Sequence, residues 1–384
     1  MAQSKVAQQV VPVVPQPVPA PQAAPAERRR RPARARRPLR KDKAEPLKPR
    51  ELKSVLDDAL TRMQRRAAGQ EKPIPLPWSS LAEALGGGFW GGTAASLVGD
   101  TGCGKTQWAL QVSTHAAESG VPVCYVASEP GVDQVASRLL ALKGGHRWSD
   151  LYTGKTDPGT IGTLRASFAS ALRAMPFHVL SGRPTRPGEP GSRAVAEWMR
   201  ERYKEARPGG RPFLIVQDFV EMVTGSGRDQ EDFNDLMGRV AQEARLTARE
   251  FGAVVLLVSS TSRERRLNDE LSIGIHHERR QPRGLGRGNP ARLLITGKNA
   301  GDMERESDTV LVLASDPEPK AAAGLEPPPV PAEGSTRVWC AVAKNRTGGR
   351  AWCAMRFDGS RFEEDREASS ILGEDAEAEA AGAP

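Results

Sequence analysis

Eight consecutive residues, Gly99-Asp100-Thr101-Gly102-Cys103-Gly104-Lys105-Thr106, have the types and spacing G-x-x-x-x-G-K-[ST]. Between a strand and a helix such a segment binds phosphate, because glycines let backbone N–H groups wrap oxygens where a Cβ would clash and the helix N-terminus adds positive potential. Here an apolar run at 94–98 (AASLV) precedes it and a helix is expected from Lys105. Gly99, Asp100, Thr101, Gly102, Cys103 and Gly104 then form the cradle, with Lys105 on the β- and γ-phosphates and the Thr106 hydroxyl on Mg²⁺. The bland alternative is a glycine-rich turn that only caps a helix, and the strand–loop–helix context favours the nucleotide, ATP.

A magnesium nucleotide needs an acidic partner. Asp218 directly follows the apolar strand FLIVQ at 213–217, at the carboxyl edge where open α/β sheets bind ligands. That is a Walker-B position and a metal site with Thr106, although an aspartate capping the next segment has the same local look. Glu129 ends the strand after the P-loop helix (YVASEPG) and is placed to polarise an attacking water as general base; an exposed turn glutamate competes with that reading. Lys344-Asn345-Arg346 sets two cations on alternate residues between two strands. On an extended segment they point to one side and converge on one anion, and a guanidinium there stabilises charge on a transferring phosphoryl group. The same residues, with Gly348 and Gly349, also suit a solvated hairpin tip.

Positioning these groups takes an alternation of β and α. The pattern predicts strands at 94–98, 122–127, 176–180, 213–217, 253–259 and 309–314, helices at 132–143, 160–174, 192–206 and 232–250, and a hairpin-like pair at 337–343 and 350–357. Such alternation implies an α/β fold with a central, mainly parallel sheet flanked by helices. Residues 50–68 place Leu52, Val55, Leu56, Leu60 and Met63 at spacings of three and four, one face of an amphipathic helix.

Composition restricts how much of the chain joins that fold. Only 38% of the 384 residues are hydrophobic and 5% aromatic, with 38 Gly and 31 Pro, so one well-formed domain with tails is expected rather than several packed domains. The net charge of +8 is uneven: residues 27–50 alone carry nine Arg and three Lys against Glu27, Asp42 and Glu45. The expected organisation is a disordered basic tail at 1–49, a helix and linker at 50–75, an ATPase domain at 76–362 and a disordered acidic tail at 363–384. The arginine cluster suits a polyanion, and equally a localisation or solubilising tail. No run approaches the ~20 apolar residues of a membrane helix, and the charge run follows the apolar N-terminal part, the reverse of a secretory signal. Cys103, Cys124, Cys340 and Cys353 show neither C-x-x-C nor Cys/His spacing, which argues against a zinc module or disulfide framework and for a reducing cytoplasm. Trp339 and Trp352 read as packing residues.

With these residues in view, the chain resembles the RecA-like core of DnaB-type hexameric replicative helicases and their relatives, plasmid replication helicases and the RadA and KaiC ATPases. The segment Leu81 to Gly92 looks like the family's lead into the P-loop strand, and Glu129 matches its catalytic glutamate. Asp218-Phe219-Val220-Glu221-Met222 matches its Walker-B stretch, and Gly301 to Asp308 is similar to its run before a sheet strand. The resemblance covers residues 76–362 in motif order. It implies that Lys344 and Arg346 reach across a subunit boundary to a neighbour's γ-phosphate, and that the protein is a hexameric ring with replication or loader proteins as partners.

Eight arginines between Arg263 and Arg292, with Gly284, Gly286 and Gly288, fall where the family carries channel-lining loops. Arg279, Arg280, Arg283, Arg287 and Arg292, with Lys298, would contact the phosphates of single-stranded DNA; the absence of an aromatic among them leaves a merely solvated loop open. Two departures matter: Ser260 stands where helicases have a γ-phosphate-sensing Gln, and the helical N-terminal domain of bacterial replicative helicases is not represented. The expected function is an ATP-driven DNA helicase or translocase, against two alternatives: a recombination or regulatory ATPase without unwinding, and a nucleotide-gated DNA-binding scaffold.

Overall fold

The computed structural model describes residues 49–99, 101–128, 131–181, 191–203, 212–220, 230–260, 301–315 and 335–372. Among them are nine strands in one sheet: β1 (Thr93–Gly99), β2 (Val123–Ala127), β3 (Phe177–Ser181), β4 (Leu214–Asp218), β5 (Val254–Ser260), β6 (Thr309–Ser315), β7 (Thr336–Asn345), β8 (Arg350–Phe357) and β9 (Phe362–Leu372). Their order is β3-β2-β4-β5-β1-β6-β7-β8-β9. The first six are parallel, and β7, β8 and β9 follow antiparallel. The mainly parallel sheet expected from the alternating pattern is therefore present.

The helices are α1 (Leu52–Ala67), α2 (Ser79–Ala84), α3 (Lys105–Glu118), α4 (Val132–Gly144), α5 (Trp148–Tyr152), α6 (Pro158–Ala174), α7 (Ser192–Arg202), α8 (Gln230–Phe251) and α9 (Gly301–Glu306). Because β1 is apolar at nearly every position, it is buried on both faces, as a central parallel strand must be. Its alternate residues divide between two cores. Ala95 and Leu97 join Trp78, Trp108, Leu110 and Leu139 on one side. Ala94 and Val98 join Val195, Met199, Ala241 and Ala244 on the other. Trp339 and Trp352 are buried in this second core, edge to face with centroids 6.5 Å apart, and so are packing residues. α1 buries none of its residues, and Leu52, Val55, Leu56, Leu60 and Met63 are all exposed. No described helix is long and apolar enough to cross a membrane.

One expected boundary is corrected. Residues 363–372 of the disordered acidic tail expected at 363–384 belong instead to β9, which runs to Leu372 and pairs with β8 from Phe357↔Phe362 to Arg350↔Leu372; residues 373–384 lie outside the described residues. Two contacts explain it. Phe362 is buried, stacked on Phe357 at 4.4 Å and edge-on to Trp78. Glu364 accepts hydrogen bonds from the Ser79 N–H (2.9 Å), the Ser79 hydroxyl (2.8 Å) and the Ser80 N–H (2.7 Å), and so serves α2 as its N-terminal cap. Burial alone would raise the Glu364 carboxyl, but these bonds hold it below its ordinary 4.5. Of the charges that suggested a tail, those at 363–367 belong to an edge strand, and Glu364 among them caps a helix.

Candidate nucleotide site

Register brings the parallel strands' carboxyl ends together. Gly99 stands opposite Ser260 on β5 and Leu313 on β6, while Asp218 stands opposite Ala127 on β2 and Val258 on β5. The chain turns from β1 into α3 at this edge, which puts the helix N-terminus over the crevice where α/β sheets take ligands. Gly104 precedes α3 with φ +90°, a left-handed conformation. A Cβ there would lie 2.7 Å from Phe362 Cζ, so the loop leans on the β8–β9 aromatics and needs glycine for space as well as for torsion. The same aromatic turn is fastened to α3: Gln107 donates to the Ser360 carbonyl (2.5 Å), and Gln111 donates to the Phe362 carbonyl (2.9 Å) while accepting the Phe362 N–H (2.8 Å).

Lys105 is buried and its Nζ donates to the Gly99 carbonyl at 2.8 Å, folding the ammonium back over the loop it would share with phosphates. Phe219 lies beneath it, with the ring centroid 5.5 Å from Nζ. Thr106 Oγ1 donates to Asp218 Oδ1 at 3.4 Å. The loop and the Walker-B strand, 112 residues apart, are thus joined through the two side chains the sequence proposes for the metal. Gly102 and Cys103 lie in the turn, Cys103 buried and Gly102 at φ +89°, and Thr101 is exposed. Asp100 and Glu129 lie outside the described residues. Ser128, which precedes Glu129, donates its N–H to the Asp218 carbonyl at 2.7 Å.

Asp218 is fully buried, and burial pushes its carboxyl up to about 6 from an ordinary 3.8. Hydrogen bonds from Tyr125 and Thr106 and the charges of Arg138 and Lys105 act against that rise. Tyr125 OH donates to Asp218 Oδ2 at 2.6 Å; burial first, then the Asp218 charge, drives the Tyr125 hydroxyl well above its ordinary value. Arg138 of α4, lowered by burial, acts on both through its charge, and its guanidinium lies 3.7 Å over the Trp148 ring. Sequence reasoning missed Tyr125 and Arg138. The only signal for Tyr125 was one hydroxyl in an otherwise apolar strand, VCYVA.

A Thr hydroxyl beside a buried carboxylate is an all-oxygen donor pair, which suits Mg²⁺, an ion that keeps most of its shell as phosphate oxygens and water. Among the described residues no group of three or more His, Cys, Asp or Glu forms a metal cage. Ser260, in register with Gly99, stands at the same edge.

Lys344 and Arg346 are elsewhere. Lys344 pairs with Val310, which pairs with Ser96, whereas the strand position level with Gly99 on β7 is Cys340. Ser96 is three residues before Gly99, so at ~3.3 Å each Lys344 is set ~10 Å back from the P-loop edge along the strand direction. Within the chain Lys344 Nζ donates to the Arg305 carbonyl (3.1 Å), and Arg346 pairs with Asp308 (3.0 Å) and donates to the Arg305 carbonyl (3.3 Å). Asn345 donates to the Ala84 carbonyl (3.0 Å) and accepts the Thr347 N–H, so the turn is docked and not a free tip. The structure does not bring this pair to its own phosphate loop. Arg279, Arg280, Arg283, Arg287, Arg292 and Lys298 lie outside the described residues.

Parts of the chain are similar to known proteins. Residues 78–266 match the family model of an AAA domain. The replicative DNA helicase DnaB of Geobacillus stearothermophilus is 24% identical over 196 residues, 51% of this chain and 41% of that protein. The replicative DNA helicase DnaC of Bacillus subtilis (strain 168) is 24% identical over 191 residues, 50% of this chain and 40% of that protein. The DNA repair protein RadA of Mycobacterium tuberculosis is 32% identical over 85 residues, 22% of this chain and 18% of that protein. The matched stretch thus spans about two fifths of the two helicases' length. Among solved structures, a DnaB-like replicative helicase, described with its interactions with primase, superposes with a TM-score of 0.57 at 16% identity, covering 81% of this chain and 68% of that one. A separately solved ATPase domain gives 0.57 at 16% identity over 82% of this chain and 99% of that one.

Proposed function

We propose that this chain, whose core is a RecA-like ATPase of the DnaB type, hydrolyses ATP at subunit boundaries of a homo-oligomeric ring and uses the energy to move on single-stranded DNA in replication. The observation that carries the reading is the Thr106–Asp218 contact at 3.4 Å beneath a glycine loop, with Lys105 buried beside it. In this reading the loop N–H groups and Lys105 hold the phosphates, and Lys105 exchanges its Gly99 carbonyl for phosphate oxygens. Thr106 and Asp218 would hold Mg²⁺, which would supply neutralisation of the phosphate charge. Glu129 takes the proton of the attacking water.

Lys344 and Arg346 serve a neighbour's site, as fingers supplied in trans. The ~10 Å offset of Lys344 from the home loop supports that assignment, and their contacts with Asp308 and Arg305 would be exchanged for phosphate on assembly. Hexameric order, the DNA contacts of Arg279, Arg280, Arg283, Arg287, Arg292 and Lys298, the replication or loader partners and a cytoplasmic site of action rest on the helicase likeness. The test mixes Arg346→Ala with Glu129→Gln subunits, each inactive alone. Mixtures that regain hydrolysis support a shared site; mixtures no more active than either variant remove the trans assignment. A second reading, an ATPase of recombination or regulation that does not unwind, draws on Ser260 at the position of the sensing Gln and on the RadA likeness. Hydrolysis without strand displacement would select it.

A further inference from the structure

Asp218 divides its two carboxylate oxygens between donors on different elements. Oδ1 accepts from Thr106 at 3.4 Å and Oδ2 from Tyr125 at 2.6 Å. The shorter bond comes from a residue that neither the P-loop nor the Walker-B stretch contains. Tyr125 reaches Asp218 because β2 pairs with β4 in the register Ala127↔Asp218 and Tyr125↔Val216. It is the diagonal neighbour two residues back on the same face, a distance that long aromatic side chains span. The ring is fully buried and stacked on Phe177 with centroids 6.3 Å apart, so the hydroxyl has one place to point. Packing alone asks only for a ring; the hydroxyl is its one polar atom, and it is aimed at the carboxylate.

We propose that Tyr125 is a positioning residue of the metal site: its hydroxyl pins Asp218 Oδ2 so that Oδ1 stays turned toward Thr106 and the nucleotide's divalent cation. The inference rests on reading Asp218 as the metal-managing carboxylate. Groups that orient a metal-binding carboxylate carry about 10- to 100-fold of metal affinity, and with the hydroxyl gone Asp218 would keep its charge but lose its orientation.

The test is Tyr125→Phe, which retains the ring. Mn²⁺ binding to the ADP-loaded protein is followed by electron paramagnetic resonance, and fluorescent-ADP binding is measured with Mg²⁺ and in EDTA. The expected result is a loss of Mn²⁺ affinity of about tenfold or more, with ADP affinity in EDTA unchanged. In an Asp218→Asn background the same substitution should add nothing. Unchanged Mn²⁺ affinity overturns the proposal, and so does an equal loss of ADP affinity with and without metal, which would mark a packing effect. A Tyr125→Phe chain that does not fold also overturns it, since positioning requires only the hydroxyl. If the wild-type protein binds ADP no better with Mg²⁺ than in EDTA, the nucleotide–metal reading itself fails, an outcome distinct from the wild type showing metal dependence that the variant shares.

Discussion

Asp218→Asn should make the ligand-free protein more stable while removing its metal-dependent nucleotide chemistry. Asp218 is fully buried, and its carboxyl is raised from 3.8 to about 6. At ~1.4 kcal/mol per pH unit, holding it ionised in the folded protein at neutral pH costs about 3 kcal/mol relative to the unfolded chain. The folded-state value lies above the unfolded one. The penalty is therefore absent below about pH 4, where the group is protonated in both states, grows between about pH 4 and 6, and is complete above. Asparagine escapes it at every pH and still accepts the Tyr125 hydroxyl. In urea, with an m-value of about 3 kcal/mol/M, the variant's midpoint should rise by about 1 M at about pH 7.5 in EDTA, and by about half that at about pH 5. The fluorescence of buried Trp78 and Trp108 reports the transition. MgADP should stabilise the wild type more than the variant. A variant no more stable than wild type at neutral pH, or a gain equal at both pH values, would show that the buried charge is not the source.

Two further substitutions test the loop's surroundings. Gly104→Ala must place a Cβ at φ +90° and 2.7 Å from Phe362 Cζ; the left-handed backbone and the overpacked ring together should cost about 2–5 kcal/mol, read as a lowered urea midpoint. An unchanged midpoint would mean that Phe362 does not support the phosphate loop. Glu364→Ala removes three bonds to the start of α2 and should cost about 1–2 kcal/mol at neutral pH. Because the Glu364 carboxyl is held below its ordinary 4.5, that contribution is present above about pH 5 and lost as pH falls through the folded value; a pH-independent difference would refute the capping role.

The glycine-rich loop before α3 was legible because its pattern is local: eight adjacent residues between a strand and a helix. Asp218 was legible through the apolar strand it ends. Tyr125 and Arg138 were not, because their role comes from strand register and helix packing, which bring β2 and α4 to a carboxylate about 80 to 90 residues further along the chain. β9 was hidden by its own charges: residues 363–367 read as acidic tail, while Phe362 and Glu364 do core and capping work that only the fold reveals. The short helices α2, α5 and α9 have too few residues to show a period. The K-x-R pair was found as a pattern, but its ties to Asp308 and Arg305 are tertiary.

The central claim, a DNA-coupled ATPase built on Lys105 and Glu129, is tested most directly by steady-state ATP hydrolysis with and without single-stranded DNA, beside Lys105→Ala and Glu129→Gln. The account predicts hydrolysis that rises strongly with DNA and is lost in both variants. Hydrolysis indifferent to DNA would contradict the motor, and hydrolysis surviving Lys105→Ala would contradict the site.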